Sequence, residues 1–192
     1  IPGCWNPIPC ATPSGKAHVK TFEVMIQGLS PLLMHSPQNM LDFALSEQGK
    51  KQTRGTHINR ASPREQAEQV AYRDKKTGAL FFPSTWIFGN LRDTSSGHKQ
   101  QGSRRNMKHV LCGGLRVVEE NIPLTNGDGK TPVKDFEVDS RIVTIRATQG
   151  KVARHRPKIE AWSATFHLRV DENLISPDFV KQLLDEGGIQ VG

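Results

Sequence analysis

The side chains able to do chemistry gather in three places. From Gly97 to Arg116 there are five Lys/Arg and no acid, and from Arg141 to Lys158 there are six Lys/Arg and no acid. These stretches hold Arg104, Arg105, Lys108, Arg146, Lys151, Arg154 and Arg156, with His98, His109 and His155 among them. The third place is Phe82-Pro83-Ser84-Thr85-Trp86-Ile87-Phe88-Gly89-Asn90-Leu91-Arg92. There an apolar strand ends at Pro83 and Ser84 stands where a helix N-cap belongs. A helix start leaves backbone N–H groups unpaired, and such groups bind anions. Cations without acids, beside free N–H donors, describe a surface for phosphate. The plainer readings are a solvated basic face, a capped core helix and an Arg92–Asp93 ion pair.

Catalytic signatures are missing. There is no Walker loop, no H-E-x-x-H and no nucleophile–base pair. His35, His98, His109 and His155 lie in or near basic segments, and Asp42 follows the first loop. A histidine there can act as a general acid or base. Arginine neighbours push it toward neutral, however, and no carboxylate lies at a telling spacing. The expectation is a binding protein with no catalytic residues. Cys4 and Cys10 with His18 imitate metal ligands, but the spacing is not that of a zinc finger. Neither a metal nor another cofactor is expected. Three cysteines make no disulfide framework, which points to a reducing cytoplasm.

These residues need elements to position them. The 192 residues suit one domain, with a net charge of +7 and only 35% hydrophobic residues, so a modest core carries long polar loops. No apolar stretch is long enough for a bilayer, so no membrane partner is expected. Residues 1–15, with Pro2, Pro7, Pro9 and Pro13, read as an extended arm that Trp5 anchors. Residues 16–192 read as one domain with insertions near 48–61 and 94–106, incomplete at the C-terminus.

Period-two alternation predicts a strand over 19–26, with Phe22, Val24 and Ile26 on one face, broken at Gly28. A short helix is expected over 39–46. Ser62-Pro63-Arg64-Glu65 is a capping box that starts a helix running to about Tyr72. Strands are expected over 79–82 and 115–118, a short helix over 106–111 and a turn at Asn126-Gly127-Asp128-Gly129. Residues 138–159 read as a long basic hairpin. In the strand 161–170, Trp162, Ala164, Phe166 and Leu168 face one way, with Ser163, Thr165, His167 and Arg169 opposite. A last helix starts at Ser176-Pro177, buries Phe179, Val180, Leu183 and Leu184, and stops at Gly187-Gly188. Interleaved strands and helices make the class α+β, with a ferredoxin-like split βαβ core.

Four features resemble, in order, the RAMP superfamily, the RRM-like proteins that form the RNA-binding backbone of CRISPR effector complexes. Gly28-Leu29-Ser30-Pro31-Leu32-Leu33-Met34-His35-Ser36 is similar to that family's loop after its first strand. Phe82 to Arg92 resembles its P-G-S-S-L-K-G segment. A basic hairpin follows, and the helix from Pro177 leads into the glycines where the family's glycine-rich loop begins. Thr85, Phe88 and His35 depart from the family pattern.

The resemblance implies a non-catalytic protein that oligomerises, alone or in a multi-subunit complex, along single-stranded RNA in preference to DNA, with a guide RNA as one such strand. The implied contacts are Ser84, Thr85, Arg92, Arg104, Arg105, Lys108, Arg146, Lys151, Arg154 and Arg156 to phosphate. Met34 would wedge between bases, with His35 beside it. Two other classes fit the same residues. One is a structural or assembly protein of a phage or mobile element, clasping a neighbour with the arm. The other is a RAMP-type endoribonuclease.

Overall fold

A computed structural model describes residues 18–37, 62–144, 146 and 149–191. The arm, the helix expected over 39–46 and the loop 48–61 lie outside the described residues, as do Cys4, Cys10 and Asp42. The described chain is α+β with two antiparallel sheets. The larger sheet has the order β1-β8-β5-β3, with β4 also on β8, and the smaller has the order β2-β7-β6. Its strands are β1 (Val19–Gln27), β2 (Leu32–Leu33), β3 (Phe81–Pro83), β4 (Leu115–Val117), β5 (Asn121–Thr125), β6 (Glu137–Thr144), β7 (Lys151–Ile159) and β8 (Ser163–Asp171). The described helices are α1 (Pro63–Gln69), α2 (Ser84–Ser95), α3 (Lys108–Gly114) and α4 (Pro177–Val191).

β8 is the axis of the larger sheet. β1 pairs along its whole length on one edge, from Val19↔Asp171 to Gln27↔Ser163. β4 and then β5 share the other edge. Alternation decides the faces. Ala164, Phe166, Leu168 and Val170 of β8 are buried with Leu115 and Val117 of β4, Leu91 of α2 and Leu183 of α4. Phe22, Val24 and Ile26 of β1 pack against this core. Ser163 was expected outward but is 2% exposed. Its Oγ donates to Asn126 O (2.6 Å), and Thr125 Oγ1 lies 2.9 Å away, so the turn after β5 folds over it.

Local signals explain several boundaries. Ser62 Oγ accepts from Glu65 N–H (3.2 Å) while Ser62 N–H donates to Glu65 Oε2 (2.7 Å), the reciprocal capping box that fixes α1. Gly129 takes φ +72° in the turn Asn126–Gly129, where its N–H donates to Asn126 O at 2.8 Å. β1 stops at Gly28 because Trp162 crosses there. A Cβ on Gly28 would stand 2.0 Å from the indole nitrogen, which donates to Ser30 O (3.0 Å).

Two expected boundaries move. Ser84 is not the cap: Pro83 holds the N-cap position with no side-chain bond, and Ser84 is the first residue of α2. The strand β3 runs straight into the helix, and Ser84 N–H donates to Glu120 O (2.9 Å). Gly187-Gly188 does not end α4, which continues to Val191. Gly187 lies against α2 instead, where Asn90 Nδ2 donates to its carbonyl (3.1 Å). A Cβ there would stand 2.1 Å from Asn90 Oδ1. The glycine is needed for close approach of two helices. The short helix expected over 106–111 starts and ends later, at Lys108–Gly114.

Candidate nucleic-acid interface

The β6–β7 hairpin is built as expected, and its register sorts the charges. Arg141 pairs with Arg154, Asp139 with Arg156 and Glu137 with Lys158, all on one face. The acids of that face are engaged. Arg141 Nε reaches Asp139 Oδ2 (2.8 Å), and Lys158 Nζ reaches Glu137 (3.4 Å) and Glu160 (2.6 Å). Arg154 and Arg156 are left without a carboxylate partner among the described residues. Like charges opposite one another in a sheet are unfavourable, and a bound anion relieves that.

His35 stands beside these arginines. The chain after β2 continues along β7, with Met34 N–H donating to Pro157 O (3.1 Å). Burial first, then the charges of Arg156 and Arg154, holds the His35 imidazole below its ordinary pKa. Among the described residues, His35 Nδ1 and Arg156 Nε are both buried without a hydrogen-bond partner. Buried polar atoms are nearly always paired in folded proteins. Arg156 Nε–H is thus a donor without an acceptor, beside the half-buried Arg154. Met34 is different. It is fully buried in the core, so it cannot wedge between bases. An apolar side chain next to a β-paired backbone segment follows the core face, whatever its position in a loop motif.

The remaining expected residues fall in other places. Arg146 and Lys151 lie toward the hairpin tip, both exposed. Arg92 Nε is 3.0 Å from Asp93 Oδ1, the ion pair named as the plainer reading. Asp93 is held below its ordinary value by that bond and, to a smaller degree, by the charges of Arg92 and Lys108. Ser84 and Thr85 open onto a hollow of about 500 Å³ that Arg116, Glu119 and Glu120 also line. Two carboxylates there oppose an anion, and the first helical N–H is already spent on Glu120 O. Arg104 and Arg105 stand on the closed turn 99–106, beside α3. His98 lies 2.6 Å from Glu186, and His155 Nδ1 lies 2.8 Å from Ser140 Oγ.

Some groups of the open sheet face escape a sequence reading. Arg116 of β4 and Arg169 of β8 are directly opposed and exposed. Between β4 and β5 the ladder breaks, and Glu119 fills the gap. Its Oε2 accepts the His167 backbone N–H (2.9 Å), and its Oε1 lies 2.6 Å from His167 Nδ1. Burial alone would push Glu119 up, but these bonds hold it below its ordinary value. Alternation placed His167 and Arg169 outward. Only the register shows what they face.

Among the described residues no group of three or more His, Cys, Asp or Glu side chains is placed to hold a metal ion, and Cys112 is a free, exposed thiol. No described helix is long and apolar enough to cross a membrane. No protein-family model and no curated protein sequence matches the chain.

Proposed function

We propose that this chain binds single-stranded nucleic acid, RNA in preference to DNA, as a non-catalytic backbone subunit of the RAMP kind, and that several copies line one strand in the cytoplasm. The observation that carries the reading is the cluster of Arg154, Arg156 and His35. It has two guanidinium groups without a carboxylate partner among the described residues, on the wall of a basic hairpin. Phosphodiester oxygens supply the acceptors such a cluster lacks. The strand order adds support. β1 and β4 both run antiparallel to β8 and lie on either side of it, with α2 between them in sequence. That arrangement is compatible with a split βαβ, the ferredoxin-like core on which RRM-like proteins are built.

The test is fluorescence anisotropy of a labelled single-stranded RNA across a salt series. Wild-type affinity is expected to fall steeply with salt. The double variant Arg154→Glu/Arg156→Glu should bind at least about tenfold more weakly, with a salt slope shallower by roughly one unit. Equal binding by the two proteins at every salt concentration would sink the reading.

A further inference from the structure

A second hollow, of about 690 Å³, lies between the turn 99–106 and α3. The turn is fixed by its own backbone. Gln100 N–H donates to Arg105 O (2.9 Å), Ser103 N–H to Gln100 O (3.0 Å) and Met107 N–H to His98 O (2.9 Å). Lys99 bridges to Asn106, and Gly102 takes φ +71° at the tip. Arg104 and Arg105 are therefore presented by a closed turn rather than by a free loop.

The wall chemistry is mixed in a particular way. Arg104 and Arg105 line the hollow with no carboxylate partner among the described residues, and none of the lining residues is acidic. Val110 of α3 and Leu174, which is 50% exposed, add apolar surface, and His109 also lines the hollow. Asn106 and Gln100 add side-chain amides, each both donor and acceptor. The floor at Gly113 is open, since a Cβ there would meet nothing within 4 Å. Paired cations, apolar surface and side-chain amides match the three parts of a nucleotide: phosphate, base face and base edge.

We infer that this hollow seats one nucleotide of a bound strand, with its phosphate on Arg104 and Arg105 and its base against Val110 and Leu174. Asn106 and Gln100 then meet the polar edge of the base. The inference rests on the nucleic-acid reading for its biological ligand, but the hollow is built from residues distinct from the hairpin cluster.

The experiment follows backbone amide resonances of the full chain during titration with adenosine monophosphate and, in parallel, inorganic phosphate. The nucleotide should move Val110 and Gly113 of α3 as well as the turn amides of Gln100 and Asn106, and phosphate only the turn amides. Gly113→Leu fills the floor and should abolish the α3 response without lowering the melting temperature. Arg104→Ala/Arg105→Ala should remove both responses. No movement of these amides at about millimolar nucleotide, or the same pattern from phosphate alone, overturns the inference.

Strand binding separates the two readings. Gly113→Leu should bind a short adenine strand about tenfold more weakly while its affinity for the abasic counterpart stays unchanged. If Arg154→Glu/Arg156→Glu abolishes strand binding and Gly113→Leu does not alter it, the hollow is refuted and the hairpin reading stands. If the hairpin variant binds as wild type and the nucleotide still fills the hollow, the reverse holds.

Discussion

His35 joins burial and charge at one imidazole. Its folded pKa is lowered by burial first and then by Arg156 and Arg154, so the neutral ring is favoured in the folded chain. The sign follows by linkage. Above the ordinary histidine range the ring is neutral in both states, and its contribution to stability is fully present. As pH falls through that range the unfolded chain takes the proton first, and the contribution is lost. A phosphate set beside the ring reverses the local field and favours the protonated form. Binding should therefore take up a proton, and RNA affinity should rise as pH drops from about 8 to about 6. Anisotropy at the two pH values checks this, with His35→Gln expected to flatten the dependence. At this scale the sequence was legible for charge and less so for partners. The Arg92–Asp93 pair was open to view in adjacent residues, whereas only the register shows that Arg154 stands opposite Arg141, with no carboxylate partner among the described residues. Met34 sat in a motif loop, and only the path of the chain along β7 shows that its side chain enters the core.

Between elements, the contact of α2 with α4 depends on a missing side chain. Gly187 is buried against Asn90 and Thr94, whereas a Cβ on Gly188 would meet nothing within 4 Å. Gly187→Ala gains helix propensity but forces Asn90 from its bond to the Gly187 carbonyl. It should destabilise the fold by about 1 kcal/mol or more. Gly188→Ala has only the propensity gain and should stabilise by roughly 0.5–1 kcal/mol. Chemical denaturation of the two variants reads the difference directly, and equal effects would contradict the packing account. Periodic patterns carried β1, β8, the hairpin and the start of α1 from sequence, because each is decided by local geometry. The glycine pair in α4 misled for a physical reason. Glycine stops helices and also lets helices touch, and the choice between these roles is made by a partner about a hundred residues away. The start of α2 is similar, since Ser84 has the chemistry of a cap but its backbone is claimed by Glu120.

Across the whole molecule, a net charge of +7 is unevenly spread. Arg154 and Arg156 on the hairpin, Arg104 and Arg105 on the closed turn, and Arg116 opposite Arg169 on the open sheet stand on different elements. A strand following a surface with several such groups meets each copy more than once, which favours copies ranged along it. Light scattering should accordingly show a mass that grows in steps with the length of added RNA and stays constant without it. A mass indifferent to strand length would point away from assembly on nucleic acid. The class α+β was legible at this scale from interleaved patterns. The two-sheet layout was not, because register and strand order are set by contacts between segments far apart in sequence.

β1 finds its described ladder only in β8, well over a hundred residues later. On a ribosome the first strand therefore emerges long before its complement exists. At about 5–20 residues per second, that leaves it waiting for roughly 7–30 seconds. Through that interval Phe22, Val24 and Ile26 have no sheet to join, and the edge carries only Lys20 and Glu23 as charged guards. The central position of β8 thus sets a clock on synthesis. The β3–β5 ladder can form earlier, but β1 and β4 join the larger sheet only once β8 has been made.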